Sequence, residues 1–297
     1  MFHSHKEYQI DTLQLKAFML VAETASFSQA AEQLHITQPA VSKRVALLEQ
    51  QLDTSLFDRI GRSVSLTEAG RALLPHARRV EQEMQAAEQS VRDLAGEVSG
   101  RLRLATSHHI GLHRLPPILS RFNKLYGAVQ IDIAFMDSEQ AYELIAQGKV
   151  ELAVATLAPN ADPTIITQQL WHDPLEFLVS ADHTLSTDTP LNLQQLSKMP
   201  AILPGLNTYT GQIVKRLFDQ HGLELRVSLA TNYLETIRMM TSVGLGWTVL
   251  PRTMKDSTLI AVDVEEIAIA RDLGLVYHRD RSLSRAAQSF IQCLLNE

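Results

Sequence analysis

The chain has 297 residues, 45% of them hydrophobic and 20% charged, which fits a soluble globular protein of about two domains and excludes disordered and fibrous classes. Its net charge of −6, from 27 basic and 33 acidic residues, excludes a generally basic nucleic-acid coat, so any nucleic-acid contact has to be local. The single cysteine, Cys293, cannot close an intramolecular disulfide. With no signal-peptide pattern and no run approaching ~18 apolar residues, the expected location is cytoplasmic with no membrane partner.

In chain order, Leu15, Phe18, Met19, Val21 and Ala22 recur three and four residues apart and predict a first helix. Ser28 is placed to cap a short second helix, with Ala30, Ala31 and Leu34 facing inward and an end near His35. Thr37 or Gln38 then opens a third helix, with Pro39 in the first turn, where a missing N–H costs little. Val41, Val45 and Leu48 form its apolar stripe. Gln38, Ser42, Lys43 and Gln50 face outward with groups suited to base edges and phosphates. Two short helices about a tight turn, the second polar on its outer face, form a helix-turn-helix pattern.

Leu56, Phe57, Val64 and Leu66, set among Arg59, Gly61, Arg62 and Ser63, predict a two-stranded wing with a basic tip. From Glu68 to about Leu94, the positions Ala69, Leu73, Ala77, Val80, Met84, Ala87, Val91 and Leu94 predict a long helix with a narrow apolar seam, suited to pairing with a second helix. Gly96 and Gly100 mark its end. Between Phe27 and Arg79 there are seven basic residues (Lys43, Arg44, Arg59, Arg62, Arg71, Arg78, Arg79) and five acidic ones (Glu32, Glu49, Asp53, Asp58, Glu68), a small local excess that permits DNA binding.

Beyond Gly100 strands and helices alternate. Strands are expected at 101–106, 129–135, 151–156, 175–180, 201–203, 226–230, 247–250 and 273–277, and helices at 112–126, 139–147, 193–196, 210–221, 233–243 and 283–295. This rhythm predicts an α/β domain with a largely parallel sheet.

The run ASFSQAAEQLHITQPAVSKRVALLEQQLDTSLFDRIGRSVSLTEAG, from Ala25 to Gly70, resembles the LysR-type transcriptional regulators, and the likeness is close over 13–74. The segments ATSHHIGLHRLPPIL and VGLGWTVLP match that family in layout. The resemblance implies an α-rich winged helix-turn-helix N-terminal domain at 11–69, a linker and dimerisation helix at 70–95, and an α/β effector domain at 100–297. That domain is expected to be two-lobed and periplasmic-binding-protein-like, with lobe I about 100–160 and 267–297 and lobe II about 161–266. It implies sequence-specific binding of double-stranded operator DNA, modulated by a small-molecule effector between the lobes, in a homodimer or homotetramer, with RNA polymerase a further candidate partner. DNA contacts carry over to Thr37, Gln38, Pro39, Ser42 and Lys43, with Arg59 and Arg62 reaching phosphates from the wing.

For the effector, strand ends that feed helix N-termini expose N–H groups and a dipole that favour an anion. Three loops fit: 106–109, 205–209 and 231–232. With the family's placement of ligand contacts at such loops, they give Ser107, His108, Asn207, Thr208 and Asn232, with Thr156 at the end of its strand as an addition. Their hydroxyl and imidazole groups suggest a small carboxylate or oxyanion.

His108, His109 and His113 offer three imidazoles, with His109 and His113 one helical turn apart, but no carboxylate or thiol is near in sequence, so no metal and no cofactor are expected and His108 is read as an oxyanion donor. Cys293 sits among Ile291, Leu294 and Leu295, as a buried structural thiol would. Absence of a nucleophile elbow, a P-loop and an HExxH motif leaves no chemical step to assign, so the chain reads as a regulator and not an enzyme. A ligand-free architectural DNA-binding protein is the remaining alternative.

Overall fold

The structure, a computed structural model, describes residues 10–60, 63–93, 97–160, 162–183, 191–264 and 267–296. The chain divides into two compact units, with the boundary between Arg92 and Asp93.

The first unit begins with helices α1 (Thr12–Thr24), α2 (Phe27–Leu34) and α3 (Gln38–Leu52). Asp11 caps α1 in a reciprocal capping box with Gln14. Ser26, not Ser28, caps α2, its side chain accepting the Gln29 N–H. Both serines suit the role. The helix starts earlier because Phe27 has to be helical to reach the core, where its ring lies 5.9 Å from that of Phe57. All three helices end on a non-glycine residue in the left-handed region: Ala25 (φ 50°), His35 (53°) and Asp53 (51°). Strands β1 (Phe57–Ile60) and β2 (Ser63–Leu66) pair antiparallel, and α4 (Glu68–Asp93) follows with Pro75 inside it. Phe18, Val41, Val45 and Leu48 are fully buried beneath the helices.

The second unit contains, in order, β3 (Gly100–Thr106), α5 (His108–His113), α6 (Leu115–Leu125), β4 (Val129–Phe135), α7 (Ser138–Gln147), β5 (Leu152–Thr156), β6 (Ile165–Ser180), α8 (Leu193–Ser197), β7 (Ala201–Leu203), α9 (Tyr209–Gln220), β8 (Val227–Ala230), α10 (Leu234–Ser242), β9 (Thr248–Pro251), β10 (Leu259–Val262), β11 (Ile269–His278) and α11 (Arg285–Leu295). Seven strands form one sheet in the order β10-β6-β11-β5-β3-β4, with β9 also paired to β6; β7 and β8 form a second, parallel pair.

The sheet is mixed, which corrects the expectation of a largely parallel one. β3 is parallel to β4 and β5, while β6, β9, β10 and β11 make antiparallel pairs. β11 pairs along its whole length with residues 165–175 of β6, the rest of which pairs with β9 and β10, and the two long strands carry the chain between two hydrophobic cores. On β11, Leu273 and Leu275 are buried with Phe122 and Phe290, whereas Ile269 packs at the other end with Phe177 and Trp247. The two ends of the sheet are thus the bases of two lobes, and the change of lobe occurs within continuous strands.

Two further expectations change. The helix expected at 112–126 is two helices, because Pro116 in the first turn of α6 cannot continue a helix from α5, and the backbone breaks at Arg114. The strand expected at 175–180 begins ten residues earlier, at Ile165. Gln168, Gln169, His172 and Asp173 break the apolar alternation, and pairing with β11 holds that stretch extended. Among the described residues, no helix is long and apolar enough to cross a membrane.

Candidate effector cleft and DNA-contacting surface

In the first unit, Thr37 is the N-cap of α3, without a side-chain capping bond, and Pro39 lies in the first turn. Thr37, Gln38, Pro39 and Lys43 are exposed, and Gln38 Nε2 donates to Ser42 Oγ at 3.0 Å one turn on. The first two turns of α3 therefore expose a hydroxyl, an amide and an ammonium group. Arg59 is also exposed, its guanidinium 4.4 Å from the centre of the Phe27 ring, which fixes the arginine stem while leaving its N–H groups available. Arg62 lies outside the described residues.

In the second unit, a cleft of about 50 Å³ opens where strand ends and helix N-termini from the two lobes meet. Since a single water needs about 10–15 Å³ by this measure, the space suits a molecule of a few heavy atoms. One wall comes from Ser107, His108 and His109 after β3, from Asp137, Ser138 and Glu139 at the start of α7, and from Thr156. The other comes from Pro204, Thr208, Tyr209 and Thr210 leading into α9, and from Asn232 and Leu234 at α10. Arg271, on β11, completes the lining.

Each wall is held by bonds that the local sequence dictates. Thr208 is the N-cap of α9; its hydroxyl accepts the Gly211 N–H at 3.1 Å and donates to the Gly205 carbonyl at 2.7 Å. Gly211 is needed there, since a β-carbon would stand 2.2 Å from the Gly205 oxygen. The Thr156 N–H donates to Ser138 Oγ at 3.0 Å. Ser107 is the N-cap of α5 but makes no side-chain capping bond. The His108 ring stacks on Phe135 and tilts against Tyr233, at centroid distances of 5.4 and 4.8 Å. Asn232 crosses the cleft: its Oδ1 accepts the Gly205 N–H at 2.9 Å and its Nδ2 donates to Asp137 Oδ2 at 2.6 Å.

The main positive charge is Arg271. It pairs across strands with Asp173 of β6, Nε donating to Oδ2 at 2.9 Å, and its Nη1 donates to Thr210 Oγ1 at 2.9 Å. Arg114 Nη2 reaches the other oxygen of Asp173 at 3.4 Å. Two guanidiniums on one buried carboxylate leave a net positive charge. Arg271 Nη2 is buried without a hydrogen-bond partner among the described residues. His109 is 4% exposed, and neither of its ring nitrogens has a partner among the described residues. Burial above all, then the charge of Arg271, pulls its pKa down to about 3, so the imidazole is neutral. Burial also raises the Glu139 carboxyl, against the N–H groups of its own backbone and of Tyr209 that bond to it.

The cleft brings together five of the six effector residues expected from sequence: Ser107, His108, Thr156, Thr208 and Asn232. Asn207 is outside the lining and exposed, because the turn into α9 makes Thr208 the N-cap and leaves Asn207 one residue before it. Sequence reasoning missed Ser138 and Glu139, although the same strand-to-helix rule applied to 136–139 would have found them. It also missed Arg271 and Asp173, for which no local pattern exists.

A family model described as LysR substrate binding domain matches residues 95–297, and one described as bacterial regulatory helix-turn-helix protein, lysR family, matches residues 12–71. An HTH-type transcriptional regulator in the ibpB-leuC intergenic region of Azotobacter vinelandii is 64% identical over 108 residues, 36% of this chain and 75% of that protein. The RuBisCO operon transcriptional regulator of Allochromatium vinosum is 28% identical over 96% of this chain and 95% of its own. Among solved structures, a full-length OxyR variant from Pseudomonas aeruginosa has a TM-score of 0.71 at 22% identity, covering 97% of this chain and 98% of that one. Full-length CbnR in complex with its target DNA has a TM-score of 0.65 at 20% identity, covering 96% and 99%. At these identities the two structures speak to the fold.

Proposed function

The chain belongs to the LysR family of transcription regulators, with a DNA-binding helix-turn-helix and an effector-binding domain, and from that premise we propose that its effector is a small carboxylate or oxyanion bound in the described cleft. The observation that carries this reading is Arg271 Nη2, a charged donor lining the cleft and left without a partner among the described residues. A buried unmade charged donor is costly, and an anionic group is the natural partner for it. Ser107, whose hydroxyl makes no capping bond, adds a second donor to the same lining. Asp137 and Glu139 add acceptors, which favours an organic acid that also carries a hydroxyl or ammonium group over a bare inorganic ion.

On the DNA side, the proposal has α3 in the major groove, with Thr37, Gln38, Pro39, Ser42 and Lys43 at bases and phosphates and Arg59 and Arg62 on the backbone. On α4, Val80, Met84 and Val91 are 42%, 44% and 68% exposed, an apolar seam suited to pairing with the same helix of a second copy. Effector binding then regulates transcription by favouring one arrangement of the paired DNA-binding domains over another.

The test is thermal unfolding of the full chain against small hydroxy acids, amino acids, plain carboxylates and inorganic oxyanions, followed by binding of each hit's complex to a duplex selected from random sequence. A ligand at a hundred times its dissociation constant adds about 2.7 kcal/mol. The reading stands if a carboxylate or oxyanion stabilises the protein, alters duplex affinity, and does neither in Ser107→Ala. Stabilisation only by cationic or apolar compounds refutes it.

A further inference from the structure

We propose that His109, His113 and Glu235 form a binding site for a divalent transition ion of the zinc class. His109 and His113 are four residues apart on α5 and so share a helix face, their ring centroids 4.8 Å apart. Glu235, in the first turn of α10, brings Oε1 to 3.0 Å from His113 Nε2. One ligand atom from each of the three lies within 4.8 Å of the other two. Around a tetrahedral zinc with bonds of about 2.0–2.2 Å, ligand atoms stand roughly 3.3–3.5 Å apart, so small side-chain rotations close the set. Two imidazoles and a carboxylate are a donor set that zinc takes readily.

His109 by itself also lacks a ligand. Its ring is buried and neither nitrogen has a hydrogen-bond partner among the described residues, so one lone pair and one N–H are both left unmade. Buried polar groups are rarely left so, and an unexplained one points to a missing ligand. Arg271 and Arg114 bring two positive charges toward this corner, and Asp173 and Glu235 bring two negative ones, leaving it neutral before an ion enters. Three protein ligands leave a tetrahedral ion one open position, for water or an anion. Ile110 of α5 belongs to one lobe's core and Ile237 of α10 to the other's, so a bound ion ties together the two walls of the cleft.

This site stands independently of the effector reading, and its test uses other variants, so either can fail alone. Full-length protein is stripped with a chelator, dialysed against Zn²⁺ and assayed for bound metal, in the parent and in His113→Gln, Glu235→Gln and the double variant. His113 is exposed and Glu235 half-buried, and circular dichroism checks that each variant is folded. The parent should retain one Zn²⁺ per chain that each single variant loses, and Co²⁺ in its place should show the visible absorption of a tetrahedral ion in the parent only. If the parent retains no more ion than the double variant, or the single variants retain it equally, the proposal is overturned; in the second case the ion sits at others of the chain's 11 histidines.

Discussion

Glu139 accepts the backbone N–H of Tyr209, so a carboxylate carried by α7 in one lobe meets the first turn of α9 in the other. That N–H is among those a helix leaves unbonded at its start, where the dipole favours a negative group. The protein's own carboxylate thus occupies the place at α9 that an anionic effector would seek. With the Asn232 to Asp137 bond beside it, it links the two walls of the cleft.

Replacing Glu139 with glutamine keeps an acceptor for Tyr209 and removes a like charge from the cleft. Affinity for a plain carboxylate, which has no hydroxyl or ammonium group for Glu139 to accept, should rise about fivefold or more, taking ~1 kcal/mol as the lower limit for like charges about 4 Å apart. Calorimetric titration of parent and E139Q with the same acid checks it. Weaker binding in the variant would show that Glu139 contacts the effector through its charge.

Asp173 is 1% exposed and carries both Arg114 and Arg271. Asp173→Asn should destabilise the effector domain by about 3–5 kcal/mol, since it strands a buried guanidinium. Pairing Asp173→Leu with Arg271→Met should recover much of that loss and abolish anion binding. Urea unfolding of the single and double variants decides the matter: equal destabilisation would mean that the ion pair is not what Asp173 supplies.

Glu151 lies at the N-terminus of α11, accepting the Ser284 N–H and, at 3.0 Å, its hydroxyl, and burial outweighs those bonds to raise its pKa above the ordinary 4.5. Just above 4.5 the folded carboxyl still holds a proton that the unfolded chain has released. Its contribution to stability is therefore full below that pH and lost as pH rises through the raised value. Glu151→Gln should flatten this part of the stability profile. Parallel profiles for parent and variant across that interval would refute the assignment.

Ala25 closes α1 with φ 50°, a conformation that costs a non-glycine residue roughly 1–2 kcal/mol, partly offset by glycine's greater freedom when unfolded. Ala25→Gly should raise the stability of the DNA-binding unit by about 0.5–1 kcal/mol without altering DNA affinity. A lower melting temperature would show that the Ala25 methyl group contributes packing that outweighs the strain.

The sequence alone determined the helix-turn-helix, because its signals are local. Val41, Val45 and Leu48 mark a buried stripe, Pro39 fits only a first turn, and the bounds of β4 and β7 follow from an alternating stretch and a short apolar run. The same reasoning placed five residues of the cleft lining at strand ends, since a strand feeding a helix exposes N–H groups there. Only the tertiary structure decided what reaches those ends from afar. Arg271 meets Asp173 because the 269–273 segment of β11 pairs with β6 in the register that sets the two opposite each other, and that register depends on contacts between residues 98 apart in sequence. Glu235 reaches His113 across 122 residues and supplies the carboxylate that the neighbourhood of α5 lacks. Periodicity reports which face of an element is buried; it carries no information on which distant side chain will lie against that face.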